Sequence, residues 1–485
     1  MSTPRFVLLL MFTLTASALN AGAASALDPV TGTPEQFFGN DGTYKLYTFH
    51  LTIGADQYNK MEPPGGGGMA RPGVSGDDRY PTGRASLEFE GKPWGELDVR
   101  YKGNSSFRSG GELKRPLKLE FEGTGDAKNK SRTFFGMTKL NLNNNAMDAS
   151  QIREALAYDV FRYEGIPTPR TAFARVYLTV PGIYDNQYAG LYTVVEQIDQ
   201  VFFKDRLARK TGPVVKPEGL YGMPYLGDSW SSYLIRYGAK SGDKVDSEDS
   251  RRFIAFVRFL NQATDEEFSK HIADYVDVDQ FLRFLAVEVI TVNLDSPLSM
   301  NHNYYVTLDP KTHKIIWIPW DMNLAFAGFG RGGGSTGQQD LSIAKPSGKG
   351  QFPLADRFLA SPEYLKRYNA ILRNIATRNF TVERLGDEID RMASLIRDSV
   401  NEDESVTFTQ FERQVSASPA ALERPTDPDR GGGFGFGGFG RRGGPPLRQF
   451  LPLRIESVLE QLDGKREGFT STGRGGFGGG PAFRN

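Results

Sequence analysis

The chain has 485 residues, 39% of them hydrophobic and 24% charged, enough for two or three average domains with a real core. Lysine plus arginine and aspartate plus glutamate stand at 58 each, so the charge balance argues against nucleic acid or an anionic membrane as a partner. The absence of cysteine excludes thiolate catalysis, zinc fingers and disulfides, and four histidines are too few for a histidine-rich metal site.

The first 26 residues read as a leader. Arg5 is the only charge before Asp28, residues 6–19 are mostly apolar, and Ala24-Ser25-Ala26 supplies a small-x-small cleavage pattern. A signal peptide over 1–26 implies an exported protein (periplasmic, cell-surface or secreted) with no integral membrane segment after cleavage; an uncleaved anchor is the alternative. Later stretches fall short of the roughly 20 apolar residues that a membrane span needs.

Glycine and proline mark the seams at 63–68, 328–334, 431–446 and the last dozen residues. Between them the periodicity predicts strands over 85–90, 95–101 and 117–121, then a helix opened by Asp148 with Gln151 completing a capping box. Strands follow over 172–180 and 188–195, then helices over 251–261 and 279–292, the second apolar on most sides and so buried. Two short strands over 304–308 and 314–318 flank the turn Asp309-Pro310-Lys311-Thr312-His313. From Pro353 onward the pattern is helical, ending in a helix over 448–462. The order predicts an α+β chain with a sheet-rich first lobe over 27–197 and a mainly helical second lobe over 198–428. A glycine-rich linker over 429–446, a helix in 447–468 and a glycine-rich tail over 469–485 complete it.

The chemistry-bearing residues cluster late. Asp295 follows the buried helix, Asn301 and Asn303 lie just beyond, and Asp321 stands on the far side of the short hairpin. This is the layout of a protein-kinase catalytic loop and its metal-binding aspartate: one Asp orients the attacking hydroxyl or takes its proton, while Asn and the second Asp offer Mg²⁺ hard oxygen ligands. The competing reading is two solvated, turn-capping aspartates. Upstream, the same logic asks for a strand lysine, a helix glutamate and a phosphate-covering turn, for which Lys118, Glu154 and Gly103-Asn104-Ser105-Ser106 are the candidates. Glu154 lies opposite the stripe of Ile152, Leu156 and Val160, which by itself points it to solvent, although Phe161 makes that second face less than purely polar.

Together these segments resemble the spore coat protein H (CotH) kinase family. The resemblance rests on Arg100-Tyr101-Lys102-Gly103-Asn104-Ser105-Ser106, Lys114-Arg115-Pro116-Leu117-Lys118, Leu140-Asn141-Leu142-Asn143-Asn144 and Arg153-Glu154-Ala155-Leu156. It continues through Gly190-Leu191-Tyr192-Thr193-Val194-Val195-Glu196-Gln197, Asn293-Leu294-Asp295, His302-Asn303-Tyr304-Tyr305 and Pro319-Trp320-Asp321-Met322-Asn323. It implies a two-lobed, protein-kinase-like fold using ATP and Mg²⁺ or Mn²⁺, with Asp295 catalytic, Asp321 binding metal, and Asn303, Asn301 and Asn323 as further candidate metal ligands. Asn323 stands where many members carry Asp. Nucleotide contacts would come from Lys118, Glu154, Lys102, Gly103, Asn104, Ser105 and Ser106. Glu196 reads either as the hinge that meets the adenine edge or as an ordinary strand-exit glutamate. The implied reaction moves the γ-phosphoryl group of ATP to Ser or Thr of an exported or surface protein. Transfer of another ATP-derived group, and a non-catalytic surface or adhesion module, are the alternatives.

Overall fold

In the first third of the chain the apolar residues alternate, and they do so because they fill the inside of a barrel. The computed structural model describes residues 28–40, 42–64, 80–122, 132–208, 213–217, 220–239, 247–329, 337–417 and 444–471. The signal-peptide expectation and most of the glycine-rich runs therefore lie outside the described residues. Seven strands, β1 (Leu46–Ile53), β2 (Thr82–Phe89), β3 (Lys92–Tyr101), β4 (Leu117–Glu120), β5 (Lys139–Asn143), β6 (Thr171–Val180) and β7 (Tyr184–Glu196), close in the order β1-β2-β3-β4-β5-β7-β6. Neighbours pair antiparallel except β1 with β6, whose parallel register from Leu46↔Phe173 to Thr52↔Thr179 seals the barrel. Tyr47, Phe49 and Leu51 of β1, Leu87 and Phe89 of β2, and Leu117 and Leu119 of β4 point into one buried core, with Phe37, Phe134 and Phe135 clustered on it.

A second core holds most of the remaining chain. It gathers the helices Arg153–Tyr163, Glu248–Gln262, Val278–Ile290, Pro362–Asn374, Val382–Asn401 and Leu447–Leu462 around a two-stranded ribbon of β8 (Tyr304–Leu308) and β9 (Ile315–Pro319). The fold is thus mixed α+β, with a sheet-rich part that is a closed barrel rather than the open sheet of a simple lobe. The ion pair Lys114–Asp403, 2.6 Å long and 2% exposed on both sides, ties the barrel to the end of helix Val382–Asn401. Gly190, at φ +120°, lies against the same carboxylate, where a Cβ would come within 2.4 Å of it.

Two local expectations are corrected. The helix expected from Asp148 begins at Arg153 instead. The Asp148 carboxylate accepts from Ser150 and from the Arg153 backbone and guanidinium, and Gln151 turns left-handed at φ 60°, so these residues form a loop that presents the helix. That helix also has no solvent face in its first nine residues. Arg153 to Phe161 are all buried, Glu154 among them, because the helix lies between the barrel and the helical core.

Candidate active site

On the barrel side the site starts where β3 runs out. Lys102 continues the pairing by one residue, its N–H donating to Pro116 O at 3.1 Å, and its Nζ donates to Asn143 Oδ1 at 2.7 Å. Asn143 Nδ2 in turn donates to Glu154 Oε2 at 2.8 Å, so one amide joins the lysine to the carboxylate. Glu154 occupies the first turn of helix Arg153–Tyr163, where the helix dipole favours an anion. Burial nevertheless pushes its pKa up to about 8. The charge of Asp321 adds to the rise, while the Asn143 bond and Lys102 oppose it. Lys102 Nζ also lies 5.5 Å from the centre of the Trp320 ring.

On the helical side, Val278–Ile290 is buried almost throughout and ends into the Asp295 loop. Val292 turns left-handed at φ 49°, Asn293 N–H returns to Glu288 O at 3.1 Å, and Asn293 Nδ2 donates to Glu288 Oε2 at 2.9 Å. Ser296 O then gathers the N–H groups of Ser299, Met300 and Asn301. Asp295 is held from two directions: His302 Nε2 lies 2.6 Å from Oδ1, and Asn303 Nδ2 donates to Oδ2 at 3.1 Å and to the Asp295 carbonyl at 2.8 Å. Asn301 and Asn303 both adopt positive φ, a region that asparagine tolerates better than most residues.

The β8–β9 ribbon returns the chain, with Trp320 N–H donating to Asn303 O at 3.1 Å. Asp321 follows, itself left-handed at φ 55°, and its N–H donates to the Tyr158 hydroxyl at 2.9 Å. Burial raises the Asp321 pKa. Asp295 adds to this, while Lys102, Lys216 and His302 oppose it. His302 is held above its usual pKa: burial works against its charge, and the field and hydrogen bond of Asp295, with Asp321, outweigh that. Asp321 thus lies in the electrostatic reach of Glu154, Asp295, Lys102, Lys216 and His302, which come from separated stretches of the chain.

The sequence matches the family described as CotH kinase protein over residues 99–423. The chain belongs to the CotH family. It is also similar to two proteins of Bacillus subtilis (strain 168). One, named inner spore coat protein H, is 25% identical over 270 residues, covering 55% of this chain and 70% of that protein. The other, named inner spore coat protein H-like protein, is 22% identical over 288 residues, covering 58% of this chain and 75% of that protein.

Within the CotH region the structure sorts the expected site residues. Asp295, Asn303, Asp321, Glu154 and Lys102 converge. Lys118 is buried on β4 opposite Arg100 and Asn141, in the row next to the Lys102–Pro116–Asn143 row, and its charge acts on Glu120. Lys102 is linked to Glu154 through the Asn143 amide. Glu196 is buried and not an exposed strand-exit glutamate. Its carboxylate accepts from Arg170 and Arg206, and around it β7 is paired with β5 on one side and β6 on the other. Gly103 turns at φ 79° and its carbonyl accepts from Tyr80 at 2.5 Å, while Asn104 stands at the N-cap of the short helix Ser105–Ser109, whose first two residues are Ser105 and Ser106. Asn301 is buried with its Nδ2 unsatisfied among the described residues, and Asn323 is half-buried in the 3₁₀ turn Met322–Leu324.

His302, Asn143, Tyr158 and Lys216 received no role from the sequence. The first two stood inside quoted motifs, and only the fold shows that one grips Asp295 and the other bridges Lys102 to Glu154. Lys216 is held by the paired backbone bonds of Val215 and Val306 at 2.9 Å, which add a third short stretch to the ribbon and set its ammonium 5.9 Å from the Tyr305 ring. Among the described residues, no three His, Asp or Glu side chains are grouped to hold a metal by themselves. A cation shared with phosphates needs only one or two protein carboxylates. The half-buried Asp321 and the buried Glu154, whose pKa values are both raised and in part by a neighbouring carboxylate, offer hard oxygens whose repulsion a cation would relieve. No helix of the described residues is long and apolar enough to cross a membrane.

Proposed function

We propose that this CotH-family chain is an atypical kinase. It transfers the γ-phosphoryl group of ATP to serine or threonine hydroxyls of an exported or surface protein, with the barrel and the helical part acting as the two lobes of a kinase-like fold. The observation that carries the reading is the convergence of Asp295, Asp321 and Glu154 around Lys102. Phosphoryl transfer asks the protein for positioning and charge neutralisation more than for a covalent nucleophile, and this set supplies both. Asp295, fixed by His302 and Asn303, orients the acceptor hydroxyl and accepts its proton. Lys102, steadied through Asn143 against Glu154, and Lys216 present positive charge to the phosphates. Asp321, with Asn303 beside it, would hold Mg²⁺ or Mn²⁺, which when bound neutralises charge on the phosphate oxygens. The apolar run over 6–19 and Ala24-Ser25-Ala26, read as a leader over 1–26, favour export.

The test is a thermal-shift titration with ATP and Mg²⁺ or Mn²⁺, followed by radiolabel transfer. Asp321→Asn should lose the metal-dependent part of the stabilisation. Asp295→Asn should bind nucleotide and metal like wild type and lose turnover by about 10²–10⁴-fold. A wild-type protein that ATP and metal leave unstabilised would sink the reading. A second reading, a non-catalytic coat or surface module, draws on the names of the two relatives; it requires Asp295→Asn to match wild type in every functional assay.

A further inference from the structure

The helix Leu447–Leu462 lies beyond the part of the chain that matches the CotH family, which ends at residue 423. It nevertheless sends one fully buried side chain to the back of the candidate active site. Arg454 makes four hydrogen bonds, all to carbonyl oxygens. Nη2 donates to Val289 O at 2.9 Å and Nε to Ile290 O at 3.3 Å, while Nη1 donates to Gln339 O at 2.6 Å and Leu341 O at 2.8 Å. The first two acceptors are the last residues of helix Val278–Ile290, immediately before the Asp295 loop. The other two lie in the stretch that follows the Asp321 segment.

A helix ends in unsatisfied carbonyls and a partial negative charge, so a guanidinium fits there in hydrogen-bond geometry and in sign. Burial draws its pKa down to about 10, so it remains a cation at neutral pH. The surrounding contacts repeat the link. Gln461 Nε2 donates to Leu341 O at 3.2 Å and its Oε1 accepts from Ile343 N–H at 3.0 Å. Phe469 exchanges backbone bonds of 2.9 and 2.8 Å with Asp340 and Ser342. The two loops also touch directly, Phe326 N–H donating to Thr291 O at 2.6 Å.

We propose that the C-terminal helix is a positioning element of the active site, with Arg454 fixing the end of helix Val278–Ile290 against residues 339–341 and thereby setting the Asp295 loop relative to the Asp321 segment. Arg454 touches no reacting atom in this scheme and acts through the two loops. Its catalytic consequence rests on the kinase reading above; its structural consequence does not.

The experiment uses the full-length protein with Arg454→Met and, as the milder perturbation, Gln461→Ala. Amide hydrogen exchange is followed in peptides over 286–303, 337–348 and the barrel strand 46–53, alongside kcat and KM for ATP with Mg²⁺ by radiolabel autophosphorylation. Arg454→Met should speed exchange over 286–303 and 337–348 by about tenfold or more, a change of about 1.4 kcal/mol, and leave 46–53 at the wild-type rate. A misplaced catalytic loop should lower kcat by about 10²-fold while KM for ATP stays within about threefold. Wild-type protection over 286–303 in Arg454→Met overturns the proposal. Should that variant lose protection in the barrel as well, Gln461→Ala decides: faster exchange in 286–303 and 337–348 together supports the coupling, and faster exchange in 337–348 alone, or in neither, refutes it. Absence of turnover in the wild type removes the kinase reading and leaves the exchange result to judge the positioning role.

Discussion

Glu288 gives the sharpest quantitative test, because it is a fully buried carboxyl with one clear chemical fate. It sits on helix Val278–Ile290 with Oε2 accepting from Asn293 and Oε1 without a partner among the described residues. Burial pushes its pKa from 4.5 to about 8. The charge of Asp295 adds to the rise, and hydrogen bonds from Asn293 and Ser296 oppose it. The folded protein therefore keeps this proton until about pH 8, whereas the unfolded chain releases it near 4.5. The contribution to stability is complete below pH 4.5, falls as pH rises through the interval, and is gone above about 8. At about 1.4 kcal/mol per pH unit, the interval amounts to roughly 5 kcal/mol as an upper bound. Glu288→Gln keeps the shape and the acceptor for Asn293 but cannot ionise. Urea unfolding of both proteins from pH 5 to 8.5 should show near-equal stability at pH 5 and a growing advantage for the variant above it. Glu154 titrates over the same range and is present in both proteins, so it cancels in the difference. Parallel stability curves would refute the argument that Glu288 is protonated in the fold.

Lys102→Met should weaken binding of ATP with Mg²⁺ by about tenfold or more in a calorimetric titration; an unchanged dissociation constant would remove Lys102 from the site. Lys114→Met leaves Asp403 buried without its cation and should destabilise the fold by about 3–5 kcal/mol, with Lys114→Met/Asp403→Asn recovering much of the loss in urea unfolding. A single variant as stable as wild type would show that the pair contributes nothing to joining barrel and helices.

The grouping of Asp295, Asn303 and Asp321 was legible because the hairpin between them is short, alternates cleanly and turns at Asp309-Pro310, so it must bring the chain back. The ribbon's first strand appears where periodicity puts it and the second within one residue. Seeing that Lys102 is linked to Glu154 needed the register of β3 on β4 and of β4 on β5, and β5 carried no signal strong enough to be read as a strand. The same gap hid Asn143. The apolar stripe misled for Glu154, since a helix packed on two sides buries its polar residues too. Barrel closure depends on β1 meeting β6 across more than a hundred residues, a pairing with no local signature. Glu196 was unreadable for a related reason: only the tertiary structure brings Arg170 and Arg206 onto it.

Closure of the seven strands limits how this protein can be approached by another chain. Along the paired stretches each strand of the barrel has a neighbour on both sides, so the main-chain donors and acceptors there are taken and an extended peptide finds less edge than an open sheet would offer. A chain that meets those stretches is gripped through side chains and loops, which favours recognition by charge and shape over recognition by backbone. The same closure narrows the edge by which one copy could stack onto the next at high local concentration.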